Sequence, residues 1–475
     1  MIAVPHTVIR IPETHAVPLA DGLARIRDDF DLPAEFPAEA QAEAEKAAAE
    51  PPPADYADRS DLPLLTIDPP GSMDLDQAMC IERRGDGYRV WYAIADVAHF
   101  VRVGGAIDQA ARTRGETVYL PDGRVPLHPP VLSEGAASLL PGRSRPAALW
   151  RADLDASGRT VDVSVERALV RSRERLDYAH VQAVVDDGTA EGTLRLLAEV
   201  GPLRLELERA RGGVSLPTPE QEITPDGDGY RVEFRTQLPS EAWNAQISLL
   251  TGMAAADLMI QAKVGVLRVL PQAGPEDVAK VRRVAAALGV PWPDGATYGQ
   301  VVSGLDPADP GHAAFLHESV VLLRGAAYAA FDGALPELTT HAGVAAPYAH
   351  VTAPLRRLVD RFATEVCLAV AAGKPVPSEI AAALPGLPEL MATSGRRAAA
   401  VDRACVDLVE ATILQDRIGE TFQAITIDDH PAQVQVTEPA VIARCEGEGL
   451  TPGKRIRVRL VKADPVARQV MFAAV

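Results

Sequence analysis

The stretch Thr66-Ile-Asp-Pro-Pro-Gly-Ser-Met-Asp-Leu-Asp-Gln77 holds the most concentrated chemistry in the chain. An apolar run delivers Asp68, a Pro-Pro-Gly turn follows, and Asp74 and Asp76 return two residues apart. In extended backbone, residues i and i+2 face the same way, so three carboxylates can converge on one point. Such a cluster repels itself unless cations neutralise it. Hard oxygen ligands suit Mg²⁺ or Mn²⁺, which retain waters and bind phosphate oxygens in their remaining positions. Paired ions of this kind clamp the attacking and leaving oxygens of a phosphoryl transfer. Taken alone, an acidic loop is more often a solvated surface than a site. An EF-hand is excluded, because no Gly and terminal Glu follow at the required offsets.

A second cluster is Thr352-Ala-Pro-Leu-Arg-Arg-Leu-Val-Asp360. Its pattern predicts a helix over 352–372, with Thr352 as cap and Pro354 in the first turn. Leu355, Leu358, Val359, Phe362 and Val366 form an apolar stripe at helical spacing. Arg356 and Arg357 then sit near the positive end of the helix, where a phosphate is favoured. An arginine there can brace charge developing on a scissile phosphate; a salt-bridged surface pair is the alternative.

The elements that must position these residues are mixed. Residues 62–67 read as a short apolar strand and 88–97 as a longer one with aromatic and β-branched residues. Long helical patterns cover 242–267 and 394–417 as well as 352–372, which together suggest one large α/β domain over 59–417. Residues 1–58 read as a small helical N-terminal unit, with patterns at 20–29 and 36–50 stopped by Pro51-Pro52-Pro53. That unit is either helix-turn-helix-like or a helical arm packed on the main domain. Residues 418–475 carry five short strands (421–427, 432–437, 440–445, 455–462, 468–475), which suit a five-stranded OB-fold β-barrel. In its fourth strand Arg455, Arg457 and Arg459 alternate with Ile456, Val458 and Leu460, so one face is basic and the other enters the core.

Read together, Ile67–Ala78, Tyr92–Val101 (YAIADVAHFV) and Tyr348–Asp360 (YAHVTAPLRRLVD), in that order and spacing, resemble the RNase II / RNase R (RNB) family. The likeness spans roughly residues 61–415, and a terminal OB-type barrel also belongs to that family. It implies processive, hydrolytic 3′→5′ cleavage of single-stranded RNA to nucleoside 5′-monophosphates. Asp68, Asp74 and Asp76 match the family's first catalytic aspartates. Tyr119, in Glu116–Pro121, matches a tyrosine that packs on the terminal nucleotides, and Tyr178 looks like a second nucleotide contact. Arg356 matches the arginine that contacts the phosphate being cut. The implied division of labour has Asp68, Asp74, Asp76 and Gln77 holding Mg²⁺ (or Mn²⁺), Asp76 orienting the reacting group, and Arg356 stabilising the transition state. Aromatic faces and arginines, those of the barrel included, suit single strands because every base offers a stackable surface.

Departures from the family pattern are equally specific. A fourth aspartate usually follows Asp76, and here that position is Gln77, which can still ligate a metal but supplies no negative charge. A pair of glutamates is usual where this chain has Leu250 and Thr251 ahead of Met253, and a stacking phenylalanine is replaced by Leu216. The cold-shock barrels common before the catalytic domain do not fit into the first 60 or so residues. These losses motivate the alternative of a catalytically impaired RNA-binding relative. An acidic interaction scaffold requires the motif order to be accidental.

Bulk properties set the frame. The net charge of −18 argues against broad affinity for nucleic acid while leaving room for a local basic channel. No apolar run approaches the roughly 18 residues of a membrane helix, and the N-terminus lacks a signal-peptide layout. Cys80, Cys367, Cys405 and Cys445 show no metal or disulfide spacing. The expectation is a cytoplasmic monomer without a small-molecule cofactor.

Overall fold

The computed structural model describes residues 9–10, 13–215, 220–226, 229–235, 237–306, 309–429, 431–436, 438–439 and 441–475. A mixed, twisted sheet forms its centre, with strand order Ala57–Asp58, Thr160–Leu176, Leu64–Ile67, Gln77–Arg84, Gly87–Ala95, Ser144–Leu154. The long strand Thr160–Leu176 runs parallel to Leu64–Ile67 through its far end (Thr66 opposite Arg175). Its first part runs antiparallel to Ser144–Leu154 (Trp150 opposite Val165), so the sheet curls back on itself. Leu64 and Ile67 are buried, and Met79, Ile81, Val90, Tyr92, Ile94 and Trp150 fill one sheet face. Helices Gly192–Arg211, Pro239–Ala262 and Leu358–Ala371 cover that face through Leu197, Val200, Ile247, Ala255, Met259, Phe362 and Val366. The architecture is an α/β domain followed by a closed five-stranded barrel.

The three helices expected in the α/β domain begin or end away from their expected positions. The pattern at 242–267 is the helix Pro239–Ala262 followed by the strand Val264–Val269. Lys263 ends the helix in the left-handed region (φ 58°), and β-branched Val264, Val266 and Val269 then favour a strand. The pattern at 394–417 starts earlier, as Leu387–Leu414. The helix expected from 352 starts only at Leu358. Asp360 explains the delay: its carboxylate accepts the Ala353 N–H at 2.7 Å and the Arg357 guanidinium at 2.9 and 3.0 Å. Those bonds hold 353–357 as a turn ahead of the helix, and Thr352 is no cap but shares a 2.8 Å hydroxyl contact with Ser248.

The N-terminal helices Glu13–Asp29 and Ala38–Ala49 bury their apolar faces against different parts of the body. Leu19, Leu23 and Ile26 pack with Val401 and Leu408 of the long helix. Gly22 permits that approach, since a Cβ there would lie 2.7 Å from a Leu408 methyl. Ala44 and Ala47 instead join Val97, Phe100 and Ile107, and Glu43 accepts the Ala106 N–H at 2.6 Å.

The barrel strands are Thr421–Asp429, Ala432–Val436, Val441–Glu446, Arg455–Asp464 and Gln469–Ala474, closed in the order 1-2-3-5-4. Val458 and Leu460 are fully buried while Arg455, Arg457 and Arg459 are exposed, as the alternation requires. Barrel residues Phe422, Val434, Val458 and Phe472 share one apolar cluster with Leu408, Val409 and Leu414 of the long helix. Among the described residues, no helix is long and apolar enough to cross a membrane.

Candidate active site

The acidic segment hangs between the ends of two strands. Asp68 follows Leu64–Ile67 and is tied to the long strand by its N–H, which donates to the Leu176 carbonyl at 3.1 Å. Gly71 takes the left-handed turn (φ 81°) that side chains resist. Residues 72–76 return to the strand that begins at Gln77. Leu75 is fully buried and pins the return, its N–H donating to the Ser138 hydroxyl at 3.0 Å. That hydroxyl donates in turn to the Met73 carbonyl at 2.6 Å. With Leu75 facing inward, its neighbours Asp74 and Asp76 share the other side.

Each aspartate meets a different environment. Asp76 is 4% exposed; one oxygen accepts the Leu355 N–H at 2.7 Å and the other lies 3.7 Å from Arg356 Nε. Burial pushes its carboxyl well above the usual range, against the pull of Arg356 and that N–H. Asp68 is pushed up to about 7, by burial first and by the Asp74 charge second, with Arg356 and Arg175 opposing. Its Oδ2 is buried without a hydrogen-bond partner. Asp74 is held from the hairpin Val118–Leu120/Gly123–Val125, where Tyr119 stands opposite Arg124. Arg124 Nη1 donates to Asp74 Oδ1 at 2.5 Å, and the Tyr119 hydroxyl donates to Oδ2 at 3.3 Å.

Gln77 is engaged at both ends of its carboxamide. Its Nε2 donates to the Thr352 carbonyl at 2.6 Å, and its Oε1 accepts the hydroxyl of buried Tyr92. A carboxylate has no N–H for Thr352, which is a physical reason for an amide here. Tyr178 opens the helix Tyr178–Asp186, capped by Asp177. Its hydroxyl accepts from Asn244 at 3.1 Å and is pushed up to about 12 by burial and by Asp68. The two neighbouring arginines part company. Arg357 is locked on Asp360, while Arg356, its side chain 43% exposed, turns to Asp76. Backbone bonds from Thr117 N–H to the Arg356 carbonyl (2.9 Å) and from Leu358 N–H to the Gly115 carbonyl (3.0 Å) lay the hairpin's stem beside this turn.

Asp68, Asp74, Asp76, Gln77, Tyr119, Tyr178 and Arg356 thus belong to one neighbourhood, while Arg455, Arg457 and Arg459 form an exposed face on the barrel. Leu250 and Thr251 are buried in the helix Pro239–Ala262; Leu216 lies outside the described residues. Tyr92 and Arg124 were not among the expected site residues. Arg124 carried a readable signal, since Tyr119-Leu-Pro-Asp-Gly-Arg124 has the turn residues of a hairpin that sets its ends side by side. Among the described residues, no three carboxylate, imidazole or thiol groups gather closely enough to hold an ion unaided. The donor chemistry still fits a hard divalent cation, given the unpartnered buried oxygen of Asp68 beside a like charge.

An α/β domain with an acidic, arginine-braced cluster and a terminal OB-type barrel defines a narrow class. Residues 56–370 match the RNB domain, and residues 420–475 match the RNase II-type exonuclease C-terminal S1 domain. The chain belongs to the RNB family. Ribonuclease R of Escherichia coli strain K12 is 32% identical over 321 residues, covering 64% of this chain but only 39% of that relative. Ribonuclease R of Thermotoga maritima is 24% identical over 500 residues, covering 95% of this chain and 69% of the relative. The apo form of Mycoplasma genitalium RNase R superposes with a TM-score of 0.84 at 19% identity, over 96% of this chain and 78% of that one. That protein has also been solved with ribose-methylated single-stranded RNA and with double-stranded RNA.

Proposed function

We propose that this chain is a processive exoribonuclease that hydrolyses single-stranded RNA from its 3′ end and releases nucleoside 5′-monophosphates. One observation carries the reading: Arg356 faces Asp76 while Asp68, within reach of the same arginine's charge, keeps a buried oxygen without a partner. Family membership supports it, as do the relatives named Ribonuclease R and the RNA complexes of the Mycoplasma protein. A catalytically impaired RNA-binding relative is disfavoured, because the three aspartates and Arg356 are all present in one neighbourhood.

Asp68, Asp74 and Asp76 would hold Mg²⁺, or Mn²⁺ in its stead, with Gln77 as a neutral oxygen donor. When bound, the cation supplies Lewis-acid activation of water and charge neutralisation at the phosphate. In the reaction a water oxygen bonds to phosphorus and the bond from phosphorus to the 3′ oxygen breaks. The water's proton leaves to solvent and the 3′ oxygen gains one. Asp76, fixed by the Leu355 N–H, orients the reacting group, and Arg356 meets the charge that grows on the phosphate. Tyr119 and Tyr178 contact the terminal nucleotides. Arg455, Arg457 and Arg459 hold the upstream strand. The protein works as a monomer in the cytoplasm, in keeping with four buried, unpaired cysteines.

The test is a time course on one single-stranded RNA carrying a label at either end. A 3′ label should appear at once in mononucleotide, a 5′ label only in a late limit fragment, and EDTA should stop both. Early internal fragments, or cleavage that ignores EDTA, would refute the reading.

A further inference from the structure

We propose that Arg124 is an internal competitor for the divalent cation at Asp74, and that Glu134 receives it when the cation binds. This inference rests on the metal site of the preceding section. The Asp74 side chain is only 11% exposed, and a carboxylate so enclosed requires a partner. Arg124 supplies one with Nη1 at 2.5 Å from Asp74 Oδ1, while its Nη2 lies 2.7 Å from Glu134 Oε1. A single guanidinium fork therefore bridges two carboxylates, which a planar, always charged group does well.

The three aspartates differ in this respect. Asp68 has a free oxygen, and Asp76 is fixed by a backbone N–H with Arg356 farther off at 3.7 Å. Asp74 alone carries a guanidinium at hydrogen-bond distance, and its second oxygen is taken by Tyr119. A cation reaching Asp74 must therefore displace one positive charge. Glu134 makes that displacement inexpensive. It lies in the one-turn helix Leu132–Ala136, beside Ser138, which pins the acidic segment, and its side chain is 32% exposed. Pivoting on the Glu134 contact frees Asp74 without stranding Arg124 as an unpaired cation. The site would then fill at a higher cation concentration than its carboxylates alone dictate.

The experiment is a calorimetric Mn²⁺ titration of the full chain without RNA. Arg124→Gln should bind Mn²⁺ about tenfold more tightly than wild type, the scale of one relieved unit charge at a partly buried site. Glu134→Gln should bind it more weakly, because Arg124 loses its second berth. In an Asp74→Asn background, Arg124→Gln should bring no gain. Structural damage loosens binding, so a gain is not its signature. If Arg124→Gln fails to fold by circular dichroism, Arg124→Met decides, since it keeps the aliphatic stem but carries no charge and should also tighten binding. Equal or weaker Mn²⁺ binding by the folded variant overturns the competitor role while leaving the metal site intact. No Mn²⁺ binding by any of these proteins overturns both.

Discussion

At Gln77 one side chain joins two elements, its amide N–H reaching the Thr352 carbonyl and its oxygen receiving the Tyr92 hydroxyl. Gln77→Asp should therefore act in two directions. It should lower the Mg²⁺ concentration for half-maximal rate, because an anionic ligand binds the ion more tightly. It should also cost roughly 1–3 kcal/mol of stability, because the Thr352 carbonyl loses its donor. Urea unfolding and a Mg²⁺ titration of rate measure the two effects; an unchanged Mg²⁺ requirement would place this side chain outside the coordination sphere. Asp76→Asn keeps the shape of the side chain but removes its charge, so hydrolysis should fall at least about a hundredfold with RNA affinity nearly retained. Activity within about tenfold of wild type would remove Asp76 from the chemistry. The shared side of Asp74 and Asp76 was legible because a two-residue spacing about buried Leu75 fixes their direction locally. Arg124 and Tyr92 were not, since their partners are set by a hairpin and a sheet register that residue order does not display.

Between elements, the late start of the helix Leu358–Ala371 shows where periodicity misleads. The apolar stripe predicts a helix from 352, yet Asp360 captures Ala353 and Arg357 and holds a turn that leaves Arg356 free to face Asp76. Periodicity reports burial of a face; it does not report a side chain competing for backbone donors. His128 sits beneath this turn, 1% exposed. Burial first, then the Arg361 charge, hold it down to about 3, from an ordinary value of 6.5. The unfolded chain therefore takes up a proton below pH 6.5 that the native protein refuses. The stability this histidine contributes is full above 6.5 and is lost as pH falls toward 3. Between pH 7 and 5 the loss is about 2 kcal/mol. Urea unfolding of wild type and His128→Leu at both pH values should show the wild type losing that much more. Equal losses would mean that His128 is not held neutral.

Over the whole molecule, the five-strand reading of the C-terminus and the α/β reading of the centre both survive in three dimensions, because alternation and β-branched runs encode burial directly. What residue order did not reveal is that barrel, long helix and first helix share one core through Phe422, Leu408 and Leu23. Deleting residues 420–475 would therefore expose Leu408, Val409 and Leu414, and substitutions test the barrel's role more cleanly. Replacing Arg455, Arg457 and Arg459 together by alanine leaves Val458 and Leu460 in place. It should reduce the slope of log affinity against log salt for single-stranded RNA by about 2, at about 0.7 per phosphate contact. An unchanged slope would take RNA off that strand face. The net charge of −18 makes such a local test informative, since overall charge does not favour RNA binding.

Hydrolysis at the Asp68–Asp76 site leaves a label when RNA is digested in water enriched in heavy oxygen. Single-stranded RNA digested there with Mg²⁺ should yield nucleoside 5′-monophosphates carrying heavy oxygen on the phosphate of each residue released, with the yield lost in Asp76→Asn. Products without heavy oxygen, nucleoside diphosphates that form only with inorganic phosphate, or an undiminished yield from Asp76→Asn would rule out hydrolysis at this site.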